Sequence, residues 1–462
     1  MRLAVLGAGP GGYVAAIKAA QLGAQVTLIE ADEVGGVCLN RGCVPTKAII
    51  ASSGTFARSR RLEDFGIEVK GEITPNLSKI IERKDRIVSI QLRGITGLLK
   101  NNGVTLKPGR GSLISSGEIR VTMKDGSAEI VQADRIIIAT GSRPLQIPSF
   151  PFDGQRVISS SDALQLKEIP GSVLIVGAGF IGCEFACIFR DLGSEVTIIE
   201  MLPMAVATED TEISALLERE LKKKGIKLFT GVKADKVEIR DDRVHISLSD
   251  GKEVAGEKVL LAVGRAVNSE GIGIETIGIN QGPKGEILVN EYLETNVPGV
   301  YAIGDVIGGF MLAHVASREG KVAARNAVKG NATVMDYTAV PSAIFTSPEI
   351  ASVGLREQQA AEKGIRVKTG HVQFRGLAKA HIIGEIEGML KIVSEESSDK
   401  VLGVHIIGPH ASELIHEATL AIQKGLTTKD IEETIHVHPT LSEVMLETAE
   451  DVHGEAIHIS RR

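Results

Sequence analysis

The chain reads as an α/β protein made of two doubly wound nucleotide-binding units, followed by a separate α+β domain. Three observations point there. A Gly-rich turn between a β-branched strand and a helix occurs twice in the sequence. The 462 residues suit about three domains at ~150 residues each. From about Thr338 the strand and helix pattern changes style, and nine of the eleven histidines lie at or beyond His371.

The first unit opens with an apolar strand that runs into Gly7-Ala-Gly-Pro-Gly-Gly12, then an amphipathic helix, a closing Gly and a second strand ending in Glu30. The same order recurs from Gly177-Ala-Gly-Phe-Ile-Gly182 to Glu200, with identity at eleven of 24 ungapped positions. A lone G-x-G-x-x-G is weak evidence. Here each copy follows a strand, opens a helix and meets an acid roughly 20 residues on, which is the context that makes it specific. The first Gly makes the tight turn, the second lets a pyrophosphate approach the backbone, and the third lets helix pack on strand. The pyrophosphate rests on free N–H groups at the helix N-terminus, and the acid accepts from ribose hydroxyls. The bland alternative is Gly-rich strand–helix packing with no ligand, and a duplicated fingerprint with both acids in place weighs against it.

Two apolar strands ending in Gly close the units: Asp134-Arg-Ile-Ile-Ile-Ala-Thr-Gly141 and Lys258-Val-Leu-Leu-Ala-Val-Gly264. The first unit carries the longer insert, which includes Cys38 and Cys43. In the second, a helix is expected near Glu212 to Lys224, with hairpin turns at Asp241-Asp242 and Asp250-Gly251. A connecting region then leads to a short strand ending in Gly304-Asp305 and a helix from about Ala313. The expected extents are 1–147, 148–268, a central segment 269–337, and 338–462 for the C-terminal domain.

Composition excludes other classes. Net charge is −6, and there are no Trp, 4 Tyr and 11 Phe. Neither a phosphate-tracking surface nor a base-stacking platform is available, so nucleic acid is not an expected partner. No apolar run is long enough to span a bilayer, since the best one, Val173 to Phe189, carries Glu184 in its middle. The N-terminal apolar stretch meets Gly7 too soon for a signal peptide. A cytoplasmic protein is expected, and four cysteines are too few for a disulfide-built secreted fold.

Cys38 and Cys43 lie in Gly35-Gly-Val-Cys-Leu-Asn-Arg-Gly-Cys-Val-Pro-Thr-Lys47. Their spacing is wrong for a zinc knuckle, and no second pair supplies further ligands, so no metal is expected. On a regular helix their Cα atoms would stand roughly 8–9 Å apart, beyond disulfide range. A bridge needs a distorted turn, which Gly42 permits, and a strained accessible bridge suits redox exchange. Two buried thiols are the alternative. Cys183 and Cys187, four apart on one helix face, read as small core residues.

Near the C-terminus stands His436-Val-His-Pro-Thr-Leu-Ser-Glu443. Thr440 or Ser442 would cap a helix that contains Glu443, whose carboxylate could hold one ring nitrogen of His438 and leave the other as a base. Thiol chemistry needs such a base, because only a thiolate attacks sulfur. His436 is expected to pack structurally.

Together these residues resemble the flavin-dependent pyridine nucleotide–disulfide oxidoreductases, over essentially the whole chain and in order. The resemblance implies FAD on the first Gly turn, NAD on the second, and a homodimer formed by the C-terminal domain. It places Gly7, Gly9, Gly12, Glu30, Gly111, Thr140, Gly141, Asp305 and Ala313 at FAD, and Gly177, Gly179, Gly182, Glu200, Val232 and Gly264 at NAD. It implies that Lys47 approaches the flavin and pairs with Glu184. Cys38 then exchanges with a substrate dithiol, Cys43 donates to the flavin, and His438, oriented by Glu443 and supplied by the second subunit, moves protons. Phe180 sits where the wider family often has an aromatic gating the nicotinamide.

Within the family the similarity is to the branch that oxidises protein-bound dihydrolipoamide, whose partners are the lipoyl domains of 2-oxo acid dehydrogenase or glycine cleavage systems. Met-Leu-Pro-Met-Ala after Glu200 has no Arg cluster for a 2′-phosphate, which favours NAD over NADP. The last cysteine is Cys187, so the C-terminal thiols expected of a mercuric reductase are missing. An NADH-dependent reductase of another disulfide is the enzymatic rival. A flavoprotein scaffold is the rival from another class, and it would have no reason to carry Cys38, Cys43, His438 and Glu443 together.

Overall fold

The computed structural model describes residues 1–459, so the last three residues of the expected C-terminal domain lie outside them. Strand Arg2–Leu6 leads into α1 (Pro10–Gln21) and strand Gln25–Glu30. Two helices follow almost without a break, α2 (Gly36–Arg41) and α3 (Cys43–Ser59), then the long α4 (Leu77–Asn101). The first sheet is parallel throughout, in the order Val300–Ala302, Arg135–Ile138, Arg2–Leu6, Gln25–Glu30, Thr105–Pro108. Ile136, Ile137 and Ile138 are fully buried, since a parallel sheet is covered on both faces and reads as an unbroken apolar run.

The second unit repeats this plan. Its parallel sheet runs Lys227–Phe229, Glu195–Ile199, Ser172–Val176, Lys258–Leu261, Val157–Ile158. Its helices are α5 (Phe180–Leu192), directly after the Gly turn, and α6 (Thr211–Lys223). Each unit also carries a three-stranded antiparallel sheet, 110–132 in the first and 234–256 in the second. Past their closing glycines the two units pair with one another, Ser142–Pro144 running antiparallel to Arg265–Val267.

The glycines of the fingerprint divide by physical role. Gly7 and Gly177 have φ of 104° and 102°, in the left-handed region. A Cβ on Gly12 would stand 1.8 Å from the Gly7 carbonyl oxygen, and one on Gly182 1.9 Å from that of Gly177. A Cβ on Gly9 or Gly179 would meet no protein atom within 4 Å. The protein's own packing therefore requires the outer glycines, while the middle one keeps space open for something else.

After strand Val300–Ala302 the chain enters α7 (Ala313–Lys329), which packs closely along α1. Small residues allow the approach: Ala15, Ala16 and Ala19 share one core with Ala323, Ala324 and Ala327. A Cβ on Gly320 would come within 2.5 Å of the Gly11 carbonyl oxygen. Two helix N-termini are thereby brought side by side.

The C-terminal domain is a five-stranded antiparallel sheet, ordered Ser342–Ile344, Glu349–Gly354, Val401–Gly408, Met389–Glu395, Val367–Gln373. Helices α8 (Ala411–Lys424) and α9 (Glu443–Asp451) pack against it. Ile344, Ile350 and Ile407 join Phe185, Cys187 and Ile188 of α5 in a single core, so this domain is bound to the second unit by burial. Buried Lys391 adds an ionic tie, reaching Glu212 at 2.7 Å, Asp210 at 3.2 Å and Glu357 at 2.5 Å. Among the described residues no helix is long and apolar enough to cross a membrane.

Overpacking of this kind costs about 1–3 kcal/mol or more. Gly182→Ala is therefore expected to lower the thermal midpoint by several degrees, whereas Gly179→Ala leaves it near the parent value. Differential scanning fluorimetry of both variants checks the division of roles.

Candidate active site

One cavity of about 1420 Å³ runs through the first unit to its borders with the other two domains. Gly7, Gly9, Glu30, Gly111, Thr140 and Gly141 line one stretch of it. Cys38, Cys43, Lys47, Glu184, Asp305 and Ala313 line the remainder. The N-termini of α1 and α7 both open on it, and their free N–H groups and dipoles favour negative charge there. The open space beside Gly9, the elongated volume and these donors fit a dinucleotide, and FAD in particular when the redox loop is taken into account.

Gly111 lines the cavity, and a Cβ on it would come within 2.4 Å of the Leu6 side chain, so packing also demands Gly there. Gly12 and the second fingerprint (Gly177, Gly179, Gly182, Glu200, Val232, Gly264) lie outside the lining. The Val232 amide donates to the Glu200 carbonyl at 3.0 Å, which sets the two side by side. From α5, Phe180, Ile181 and Glu184 reach the cavity wall, so the second unit's helix bridges its own Gly turn and the redox loop.

The two acids are held alike. Glu30 accepts from the Ala8 and Asp32 amides at 2.7 and 2.8 Å, and Glu200 from the Ala178 and Leu202 amides at 2.6 and 2.8 Å. Burial raises the Glu30 pKa despite these amides. A carboxylate has about four lone-pair sites, so two amides leave room for ribose hydroxyls.

At the redox loop, Gly42 separates α2 from α3, with φ −144° and ψ −113°, and a Cβ on it would press within 3.0 Å of the Val37 carbonyl oxygen. The break supplies the distorted turn that brings Cys38 and Cys43 close to one another. Their acidities separate. The Cys38 pKa is raised, first by its pairing with Cys43 and then by burial, whereas Cys43 is lowered to about 7, chiefly by the same pairing and also by nearby Lys47. Cys43 also stands at the first position of the 17-residue α3, where the helix dipole favours a thiolate.

Lys47, one turn further along α3, donates to both oxygens of Glu184 at 2.9 and 2.8 Å. Without the family context both would pass for surface charges, yet Glu184 is only 4% exposed. Asp305 sits in a single helical turn, Gly304–Ile307, bonded to Ser142, whose hydroxyl also accepts from Arg265 Nε at 2.7 Å. Ser142 and Arg265 escaped the sequence reading. Each directly follows a closing Gly, which was the available signal.

His438 and Glu443 form a pair, Nδ1 to Oε1 at 2.7 Å, outside the cavity lining, with the His438 side chain 70% exposed. The expected cap of α9 differs. Neither Thr440 nor Ser442 caps it through a side chain; Glu443 itself reaches back to the Thr440 amide at 2.8 Å. Burial opposes ionisation of Glu443, but that amide and His438 outweigh it and hold the carboxyl below its ordinary range. His436 packs inward, bonded to the Thr434 carbonyl and to Glu417. Cys183 and Cys187 are buried in the core. Among the described residues no His, Cys, Asp and Glu group could hold a metal ion.

Residues 1–320 match the family model described as pyridine nucleotide-disulphide oxidoreductase, and residues 340–449 match its dimerisation domain. The chain is 45% identical over 447 residues to a dihydrolipoyl dehydrogenase of Chlamydia muridarum, covering 96% of this chain and 95% of that one. It is 44% identical over 466 residues to one from Thermus scotoductus, covering 100% and 99%. The crystal structure of LpdA from Mycobacterium tuberculosis superposes with a TM-score of 0.92 at 32% identity, covering 97% of this chain and 99% of LpdA. A flavoprotein disulfide reductase of Escherichia coli, RclA, shares the fold at 24% identity with a TM-score of 0.87.

In reduced apoprotein, iodoacetamide is expected to alkylate Cys43 with a pH midpoint of about 7. Lys47→Met is expected to move that midpoint upward, because it removes the cation that favours the thiolate. Mass-spectrometric peptide mapping across pH 5–10 measures both.

Proposed function

The chain belongs to the pyridine nucleotide-disulphide oxidoreductase family, and from that premise we propose that it oxidises protein-bound dihydrolipoamide to lipoamide with NAD+, as a homodimer holding FAD. The observation that carries the reading is one cavity that unites a dinucleotide cradle, a close pair of cysteines of unequal acidity and the Lys47–Glu184 ion pair. When bound, FAD accepts two electrons from the thiol side and passes a hydride to NAD+.

Gly7, Gly9 and Glu30 hold the ADP portion of FAD, and Gly12 serves that site by letting α1 pack against the Gly7 turn. Gly111, Thr140, Gly141, Asp305 and Ala313 line the rest of its bed. Gly177, Gly179, Gly182, Glu200, Val232 and Gly264 hold NAD. Glu200 is followed by the exposed apolar Met201 and Leu202, where a 2′-phosphate would need a cation. Phe180, the first residue of α5 after the second Gly turn, lines the cavity wall.

The thiol steps follow from acidity and geometry. With Cys38 and Cys43 joined as a disulfide, His438 Nε2 takes a proton from one thiol of the substrate, Nδ1 being engaged by Glu443. The resulting thiolate attacks the Cys38 sulfur, and Cys43 leaves as a thiolate. The lower pKa makes Cys43 the better leaving group, and its departing thiolate is stabilised by nearby Lys47. The second substrate thiol attacks the substrate sulfur of the mixed disulfide; its proton ends on the departing Cys38, whose raised pKa keeps it a thiol, while the first proton stays on His438. Cys38 is released and the substrate departs as a cyclic disulfide. Proton and thiol steps titrate as one unit.

His438 lies outside the cavity lining of its own chain with its side chain largely exposed, which supports its service to a partner's site. A flexible lipoyl arm would present the dithiol there, and a cytoplasmic lipoyl-bearing complex is the setting. A reductase of another disulfide would share this machinery, so turnover decides between them. Dihydrolipoamide with NAD+ should turn over well, and NADP+ or oxidised glutathione poorly. The opposite preference overturns the assignment. His438→Gln and Glu443→Gln are each expected to cut turnover at least roughly a hundredfold while FAD content stays at parent level. Mixed dimers of His438→Gln with Cys38→Ser should regain part of the activity, measurable as NADH formation after subunit exchange.

A further inference from the structure

All three domains meet at the Lys47–Glu184 pair, and the third contributes Phe345, which no motif singled out. Phe345 follows the edge strand Ser342–Ile344 and begins the turn to Glu349–Gly354. Its amide donates to Glu184 Oε1 at 3.0 Å, and its ring centroid lies 4.6 Å from Lys47 Nζ. The ammonium therefore has a carboxylate on one side and an aromatic face on the other, within the cavity that all three residues line. Ile344 and Ile350, buried against α5, anchor the turn, and the Thr346 hydroxyl donates to the Pro348 carbonyl at 2.7 Å.

An aromatic face attracts a cation through its quadrupole, more strongly where water is excluded. A lysine is a compact charge on a flexible stem, so its effect on a neighbouring group depends on what holds its end in place. Charge that is already oriented stabilises a developing anion without reorganising, and a reduced flavin carries more negative charge than an oxidised one.

We propose that Phe345 is a positioning residue of the C-terminal domain, whose ring holds the Lys47 ammonium, and whose amide holds Glu184, so that the charge at the flavin site favours the reduced cofactor. The proposal rests on the reading that Lys47 adjoins the flavin. It makes the electron affinity of the first domain's cofactor depend on a side chain from the third.

The test equilibrates FAD-loaded protein anaerobically with set NADH/NAD+ ratios and reads reduced against oxidised flavin from visible absorbance. Phe345→Leu keeps the amide and removes only the π face. It is expected to lower the reduced-to-oxidised ratio roughly threefold to tenfold, the scale of a lost cation–π contact. Phe345→Tyr restores the π face and should return the ratio to within about twofold of the parent. If Phe345→Leu does not load FAD, Phe345→Met, of similar bulk without a π face, carries the same expectation. Lys47→Met separates the two claims. A ratio shifted by Lys47→Met but left at the parent value by Phe345→Leu or Phe345→Met overturns the role of Phe345 alone. A ratio left unchanged by Lys47→Met overturns the placement of Lys47 at the flavin as well.

Discussion

The buried carboxylate of Glu184 is the constraint around which the rest is arranged. A carboxylate taken out of water is costly unless it is paired and hydrogen-bonded. Glu184 sits on the second unit, its ammonium partner Lys47 on the first and its amide donor Phe345 on the third. No one domain satisfies it. Meeting that demand packs α3, α5 and the C-terminal hairpin together, and the cavity lies between them.

Duplication explains much of the remainder. The two units share a parallel sheet, a Gly turn, an acid gripping two amides and a small antiparallel sheet. They differ in what surrounds the turn. In the first, α2 covers the open end, since a Cβ on Gly36 would meet the Gly9 backbone at 2.7 Å, and α7 lies alongside α1. The result is a large bed walled by both helices that suits a resident cofactor. The second turn stays outside that cavity, which suits a nucleotide that comes and goes.

The cysteine pair gains its asymmetry from position. One helix would have kept the sulfurs apart, and the break at Gly42 lets them meet while placing Cys43 at the head of α3. A helix N-terminus, a neighbouring ammonium and the paired Cys38 thiol act in the same direction on one sulfur. In the proposed mechanism, attack at Cys38 and departure from Cys43 follow that gradient.

The two strand–Gly turn–helix units, the packing demand at Gly12 and Gly182, the closeness of Cys38 and Cys43 and the His438–Glu443 pair are legible in the sequence, because each rests on residues a few positions apart. Turn geometry, helix spacing and short reach are local, and a local pattern carries them. The burial of Glu184, the Ser142–Asp305–Arg265 link and the ring of Phe345 over Lys47 join residues more than a hundred positions apart. Nothing in local spacing encodes those distances. The cap of α9 differs from expectation for a related reason: the Thr440 and Ser442 hydroxyls bond each other, Thr440 also bonds the Val437 carbonyl, and Glu443 reaches back to the Thr440 amide, side-chain directions that only the folded chain sets.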